Sequence, residues 1–141
     1  MELLDAVTVM DRLRSPGGCP WDAQQDHDSL RKYLVEETYE LLDAIEHRDR
    51  EALREELGDV LLQVLFHARV AAEDGTDPFD VDEVAAGLVS KLVSRHPNVF
   101  ADDGAVLDAE PQHARWEELK QREKQRESIV DGVALGQPAV A

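Results

Sequence analysis

From Leu57 to Ala71 the chain reads Leu-Gly-Asp-Val-Leu-Leu-Gln-Val-Leu-Phe-His-Ala-Arg-Val-Ala, apolar around most of the circumference of a helix. A helix with almost no polar face must be surrounded by other elements, so this stretch predicts a central, buried helix. One narrow strip interrupts it: Glu56, Asp59, Gln63 and His67, spaced three, four and four residues apart with apolar positions on both sides. Polar groups in such surroundings need partners. Gly58 gives up roughly 1 kcal/mol of helix propensity, which leads us to expect a neighbouring backbone or a ligand close to it.

Around that helix four further helical stretches can be read, and no period-two segment is long enough for a strand, so the fold class is all-α. The first runs from Glu2 to Arg14, with Leu3, Leu4, Val7, Met10 and Leu13 on one side, and stops at Ser15-Pro16-Gly17-Gly18. A loop from Cys19 to Asp28 follows, with Asp28 or Ser29 as the next N-cap. The second spans about Ser29 to His47 on the stripe Leu30, Leu34, Leu41, Ile45. Asp49 opens the central helix, which continues to about Glu73. Asp80, with Glu83 three residues later, starts a fourth that ends before Pro97 and bears Lys91 and Arg95. Residues 97 to about 109 read as a polar loop, and Pro111 fits the first position of a fifth helix containing Trp116, Leu119 and Lys120. From Ser128 the helical period fades. The expected division is a domain over residues 1–127 and a tail over 128–141.

At 141 residues the chain has room for one core. Its formal net charge of -16 repels nucleic-acid phosphates and anionic lipid, so neither a nucleic-acid polymer nor a membrane surface is an expected partner. Hydrophobic residues at 43% are too many for a disordered acidic chain. The lone Cys19 excludes an intrachain disulfide and suits a reducing compartment, and neither a targeting signal nor a membrane-length apolar run is visible, so the expected location is cytoplasmic.

The unusual feature is where the acid sits. Glu37 falls on the apolar stripe of the second helix, between Leu34 and Leu41, with Glu40 at the stripe edge and Glu36 a step further outward. Glu56 and Asp59 repeat the three-residue spacing on the central helix. Two such faces packed together make a four-carboxylate pocket. At ~4 Å and an effective dielectric near 20, each like-charged pair costs about 4 kcal/mol, so the pocket either protonates in part or takes up a divalent cation. Oxygen-only ligands select a hard ion, Mg²⁺ first and Mn²⁺ second. Because Mg²⁺ commonly shares itself with substrate phosphates, the constellation points to phosphate-ester or phosphoanhydride chemistry. Acidic runs on helices are ordinarily solvated surface, a reading that the apolar neighbours of Glu37, Glu56 and Asp59 weaken.

Lys91 and Arg95, one turn apart, can bind phosphates or simply pair with the clustered carboxylates. Trp116 with Lys120, and Trp21 in its loop, can each stack on a base or serve as packing. Gln24, Gln25 and His27 are weaker candidates for reading a base edge. His67 reads as a hydrogen-bonded core histidine, and His96 as a complement to its helix dipole. Ligand spacing for zinc, a P-loop, a dinucleotide fingerprint and a nucleophile elbow are all missing.

The acidic pattern Glu-Glu-x-x-Glu over Glu36, Glu37 and Glu40, followed by Glu-x-x-Asp over Glu56 and Asp59, resembles the MazG-type nucleoside triphosphate pyrophosphohydrolases. Cys19-Pro20-Trp21-Asp22, Gly58 to Leu61, Lys91 to Phe100 and Trp116 to Lys120 extend the resemblance over nearly the whole chain. The resemblance implies that Glu37, Glu40, Glu56 and Asp59 hold Mg²⁺, that Glu36 is a supporting or base residue, that Lys91, Arg95 and Lys120 contact phosphates, and that Trp116 contacts the nucleoside. It implies hydrolysis of an NTP or dNTP to monophosphate and pyrophosphate in nucleotide-pool housecleaning, and a homodimer whose shared helical bundle completes a four-helix core. Many members carry two such domains, and the segment from Asp131 to Pro138 resembles the lead into a second. Two other readings stay open: a non-catalytic nucleotide-sensing or partner-docking module, and a relative narrowed to dUTP, dCTP or phosphoribosyl-ATP.

Overall fold

A computed structural model describes residues 1–100 and 109–134, and every regular element among them is an α-helix. In chain order these are α1 (Glu2–Arg14), α2 (Pro20–Gln24), α3 (His27–Glu46), α4 (Arg50–Ala71), α5 (Val81–Ser94), α6 (Pro97–Phe100) and α7 (Ala109–Ala134). Backbone contacts divide the chain into two units, Met1–Ala85 and the residues from Ala86 on, and each is described by itself.

The first unit is organised on the pair α3 and α4. Asp26 is the N-cap of α3, in a reciprocal capping box with Ser29, so the helix starts earlier than the expected Asp28 or Ser29 cap. Ser29 is not the cap itself: from the third helical position its hydroxyl accepts from the Asp26 backbone N–H at 2.9 Å. Asp49 caps α4 as its sequence position predicts, accepting from the backbone N–H of Glu51 and Ala52. The pair is antiparallel: His27 meets His67 near one end, and Glu40 shares a concavity with Glu56 near the other.

The core is small. Met10, Leu30, Leu65 and Phe66 form its buried centre, with Ala6, Val7, Leu13, Tyr33, Val70 and Val81 packed against it. Leu30, at 1% exposure, is the deepest. The core therefore covers only the C-terminal half of α4. Leu57, Leu61 and Leu62 remain 38–51% exposed, and Leu34, Leu42 and Ile45 on α3 remain 40–54% exposed. The expectation of a wholly buried central helix is corrected on this point, because α1 meets α4 around Leu65, Phe66 and Arg69, while the preceding turns are faced by α3 along one side.

Arg14 ties α1 to its surroundings. Its guanidinium donates to both carboxyl oxygens of Glu73 at 2.7 and 2.9 Å and to the carbonyls of Asp22 and Gln25. The turn after α1 depends on two glycines. Gly17 has φ of 84°, and a Cβ on Gly18 would stand 2.3 Å from the Arg12 carbonyl oxygen and 2.4 Å from that of Leu13. This tight return lets Cys19 donate its backbone N–H to Leu13 at 2.9 Å and launches α2, a short helix inside what the sequence reads as a loop.

In the second unit α6 falls within the expected polar loop, with Pro97 at its first position, and the rest of that loop, 101–108, lies outside the described residues. The backbone of α7 begins two residues before Pro111 and continues past the expected boundary at 127 to Ala134. The tail beyond Ala134 also lies outside the described residues.

Candidate active site

Antiparallel packing of α3 on α4 brings Glu37, Glu40, Glu56 and Asp59 together, each offering a carboxylate oxygen, and these oxygens all lie within 4.8 Å of one another. This is the four-carboxylate pocket expected from the spacing. Two turns contribute two acids each, and the short connection through His47, Arg48 and Asp49 fixes the register that sets them opposite. Arg48 enters the left-handed region, φ 54°, to make that connection.

No lysine, arginine or histidine among the described residues forms an ion pair with any of the four. Glu37 and Glu56 each keep one carboxyl oxygen, Oε2, buried and without a hydrogen-bond partner. Loss of hydration raises the Glu37 pKa, and the charges of Glu40 and Asp59 raise it further. Glu56, under the same influences with Glu40 as its strongest charged neighbour, is pushed up to about 7. Two of the four crowded acids, Glu37 and Glu56, therefore keep an unsatisfied oxygen. A cation with oxygen preference relieves the repulsion and occupies the orphaned lone pairs, so the donor set fits a hard divalent ion. Glu36 is exposed, one position outside the cluster.

Gly58 sits between two of these acids, and among the described residues no atom outside its own turn of helix comes within 4 Å of where its Cβ would be, so no neighbouring backbone among them explains it. Trp21 packs edge-on against Tyr33, ring centroids 5.8 Å apart, beside a concavity that Gln25 and Lys32 also line and that none of the four acids lines. Gln25 is engaged locally, its amide donating to Trp21 and accepting from Ser29, while Gln24 is exposed. His27 and His67 stack in parallel with Nδ1 atoms 2.7 Å apart, so the histidine expected to be hydrogen-bonded in the core has a histidine as its partner.

In the second unit Arg95 is 8% exposed and its guanidinium donates to Glu123 at 2.5 and 3.0 Å while lying over the Trp116 ring, 5.0 Å from the centroid. His96 tilts against the same indole, also at 5.0 Å. Arg95 thus pairs with a carboxylate of its own unit, Glu123, which is not one of the clustered acids expected from the sequence. Glu123 carries no sequence signal that singles it out; only its position about two turns beyond Trp116 on α7 could have flagged it. Lys91 is exposed on α5 and Lys120 partly buried on α7.

Comparison with known proteins follows the same residues. The family model described as the MazG nucleotide pyrophosphohydrolase domain matches residues 25–100, which hold the whole acidic quartet. An uncharacterised 26.1 kDa protein of Streptomyces cacaoi is 58% identical over 99% of this chain and 57% of its own length. A protein named nucleoside triphosphate pyrophosphohydrolase in Mycobacterium tuberculosis is 54% identical, over 99% of this chain and 42% of its own. One of the same name in Escherichia coli is 45% identical over 95% and 51%. The chain thus spans about half the length of the curated relatives it matches. No helix among the described residues is long and apolar enough to cross a membrane.

Proposed function

The chain belongs to the MazG nucleotide pyrophosphohydrolase family, and on that premise we propose that it hydrolyses nucleoside triphosphates to monophosphate and pyrophosphate, using a divalent cation held by Glu37, Glu40, Glu56 and Asp59. The observation that carries the reading is the quartet itself: four carboxylate oxygens within 4.8 Å, with no basic side chain among the described residues paired to them. Mg²⁺, with Mn²⁺ as substitute, is the ion that suits four oxygen donors, and when bound it would offset polyphosphate charge and lower the pKa of water.

The chain's own groups do the rest. A water attacks the α-phosphorus, the α–β bridging oxygen leaves with pyrophosphate, and a carboxylate takes the proton that the water loses. Glu36 is the proposed acceptor because it is exposed beside the quartet and outside the cluster of ligands. Lys91 and Lys120 are proposed to contact phosphates. Arg95 and Trp116 are proposed to act at the nucleotide as the joined unit seen in the second part of the chain, with Glu123 holding the guanidinium. Trp21, half exposed on α2, is proposed as a further substrate contact.

Two identical chains are proposed to pair through the uncovered apolar face of α3 and α4, which supports a shared four-helix core. The lone cysteine and a nucleotide substrate suit a cytoplasmic housecleaning enzyme. Incubation of the purified protein with a panel of NTPs and dNTPs plus Mg²⁺ tests the reaction. Pyrophosphate and monophosphate are expected; orthophosphate with diphosphate would remove the reaction, and nucleotide binding without turnover would favour a sensing module.

A further inference from the structure

Beyond the quartet, α4 carries two more polar groups on the same strip, and neither is satisfied. Gln63 is 5% exposed and its Oε1 is buried without a partner; His67 leaves its Nε2 in the same condition. Each such group costs about 1–3 kcal/mol if nothing pairs with it. Both line a pocket of about 330 Å³ whose remaining walls include Leu34, Val64, Phe79 and Val84. The His67 ring is fixed there by its stack on His27, with planes 1° apart, and by the contact between the two Nδ1 atoms. With Nδ1 committed, only Nε2 is left for a ligand. Burial and the neighbouring His27 lower the His67 pKa, so the ring is held neutral and presents a single donor or acceptor at that atom.

Position connects the pocket to the acids. Gln63 and His67 lie four and eight residues beyond Asp59, about 6 and 12 Å further along the helix axis and on the same side of it. That distance is within the reach a ribose gives a base when the phosphates lie at the quartet. An apolar side chain from a second copy would fill the volume and leave both polar atoms unpaired; a flat heterocycle with hydrogen-bonding groups along one edge fills it and pairs them. We infer that this pocket receives the base of the nucleotide, with Gln63 and His67 reading its hydrogen-bonding edge. The inference rests on the quartet being the polyphosphate site. Because Gln63 Oε1 is an acceptor, the edge it meets carries an N–H.

The test compares wild type with Gln63→Met, which is nearly isosteric and removes the amide, and His67→Phe, which keeps a stacking ring without its nitrogens. Calorimetric titration with AMP, GMP, CMP, UMP and inorganic pyrophosphate, each with Mg²⁺, gives the affinities. Wild type is expected to separate the four monophosphates by about ten-fold or more, and either variant to compress that spread to about three-fold, the loss of one buried hydrogen bond. Pyrophosphate, which has no base, is expected to bind all three proteins alike. A wild type that binds the four monophosphates equally overturns the inference. So does a spread that survives both substitutions, as when ordered water is the partner of these atoms, or a loss for pyrophosphate as large as that for the nucleotides. Binding needs no turnover: if no NTP releases pyrophosphate yet Gln63→Met flattens the base preference, the proposed reaction fails while the pocket stands.

Discussion

At the residue scale the quartet's protonation is the property most open to measurement. A carboxyl group whose pKa is raised in the folded protein favours folding while protonated and loses that contribution as pH rises. For Glu56 the change runs from its ordinary 4.5 to about 7. The cation-free protein is therefore expected to melt at higher temperature near pH 5 than near pH 8 as far as this group decides, and added Mg²⁺ is expected to raise the pH 8 value most. Calorimetry at both pH values, with and without EDTA, reads this directly; a melting temperature indifferent to Mg²⁺ at pH 8 would count against the site. Glu37→Gln and Asp59→Asn are each expected to cut pyrophosphate release by about a hundred-fold or more, the scale of several kcal/mol supplied by a catalytic cation. Their circular dichroism is expected to match wild type, since removing one of four mutually repelling charges relieves the fold. Full activity in either variant takes that residue out of the site.

At the element scale the two kinds of glycine have opposite expected behaviour. Gly18→Ala forces a Cβ into the carbonyls that end α1, and the turn has to move, at a cost of about 1–3 kcal/mol or more. Gly58→Ala meets open space in the middle of α4 and is expected to stabilise by roughly 0.5–1 kcal/mol. Urea denaturation of the two variants gives both signs. If Gly58→Ala instead lowers activity while raising stability, the close approach expected from the sequence comes from a substrate or a second copy and not from this chain. Element identity was legible: a stripe every three or four residues marked α1, α3, α4 and α5, and Asp49 and Asp80 were read correctly as starting points, each accepting from a backbone N–H at its helix start. The short helices were not legible, because five residues in α2 and four in α6 carry no period of their own and are held by the turns around them.

At the scale of the whole molecule the measure that matters is apolar area left uncovered. Ile45, Leu57, Leu61 and Leu62, all 38% exposed or more, are apolar positions that sequence reasoning assigns to a core. The proposed homodimer covers them, and sedimentation at micromolar concentration is expected to give twice the chain mass of 15.8 kDa. Leu61→Glu is expected to shift the protein to monomer and to reduce pyrophosphate release with it. A monomeric wild type would remove the proposed pairing and leave the exposed face without an occupant.

Sequence by itself determined the long helices and the acids they carry, because both follow from local physics: 3.6-residue periodicity names the apolar side, and carboxylates on that side are anomalous wherever the chain goes next. It also carried the family, through residues close together along the chain. Only the tertiary structure decided that four acids from two helices converge within 4.8 Å, that Arg95 joins Glu123, and that Gln63 Oε1 and His67 Nε2 are buried without a partner. Those outcomes depend on register, on which turn of one helix faces which turn of another; for α3 and α4 the short connection through His47, Arg48 and Asp49 sets it, together with the packing of Leu30 against Leu65 and Phe66.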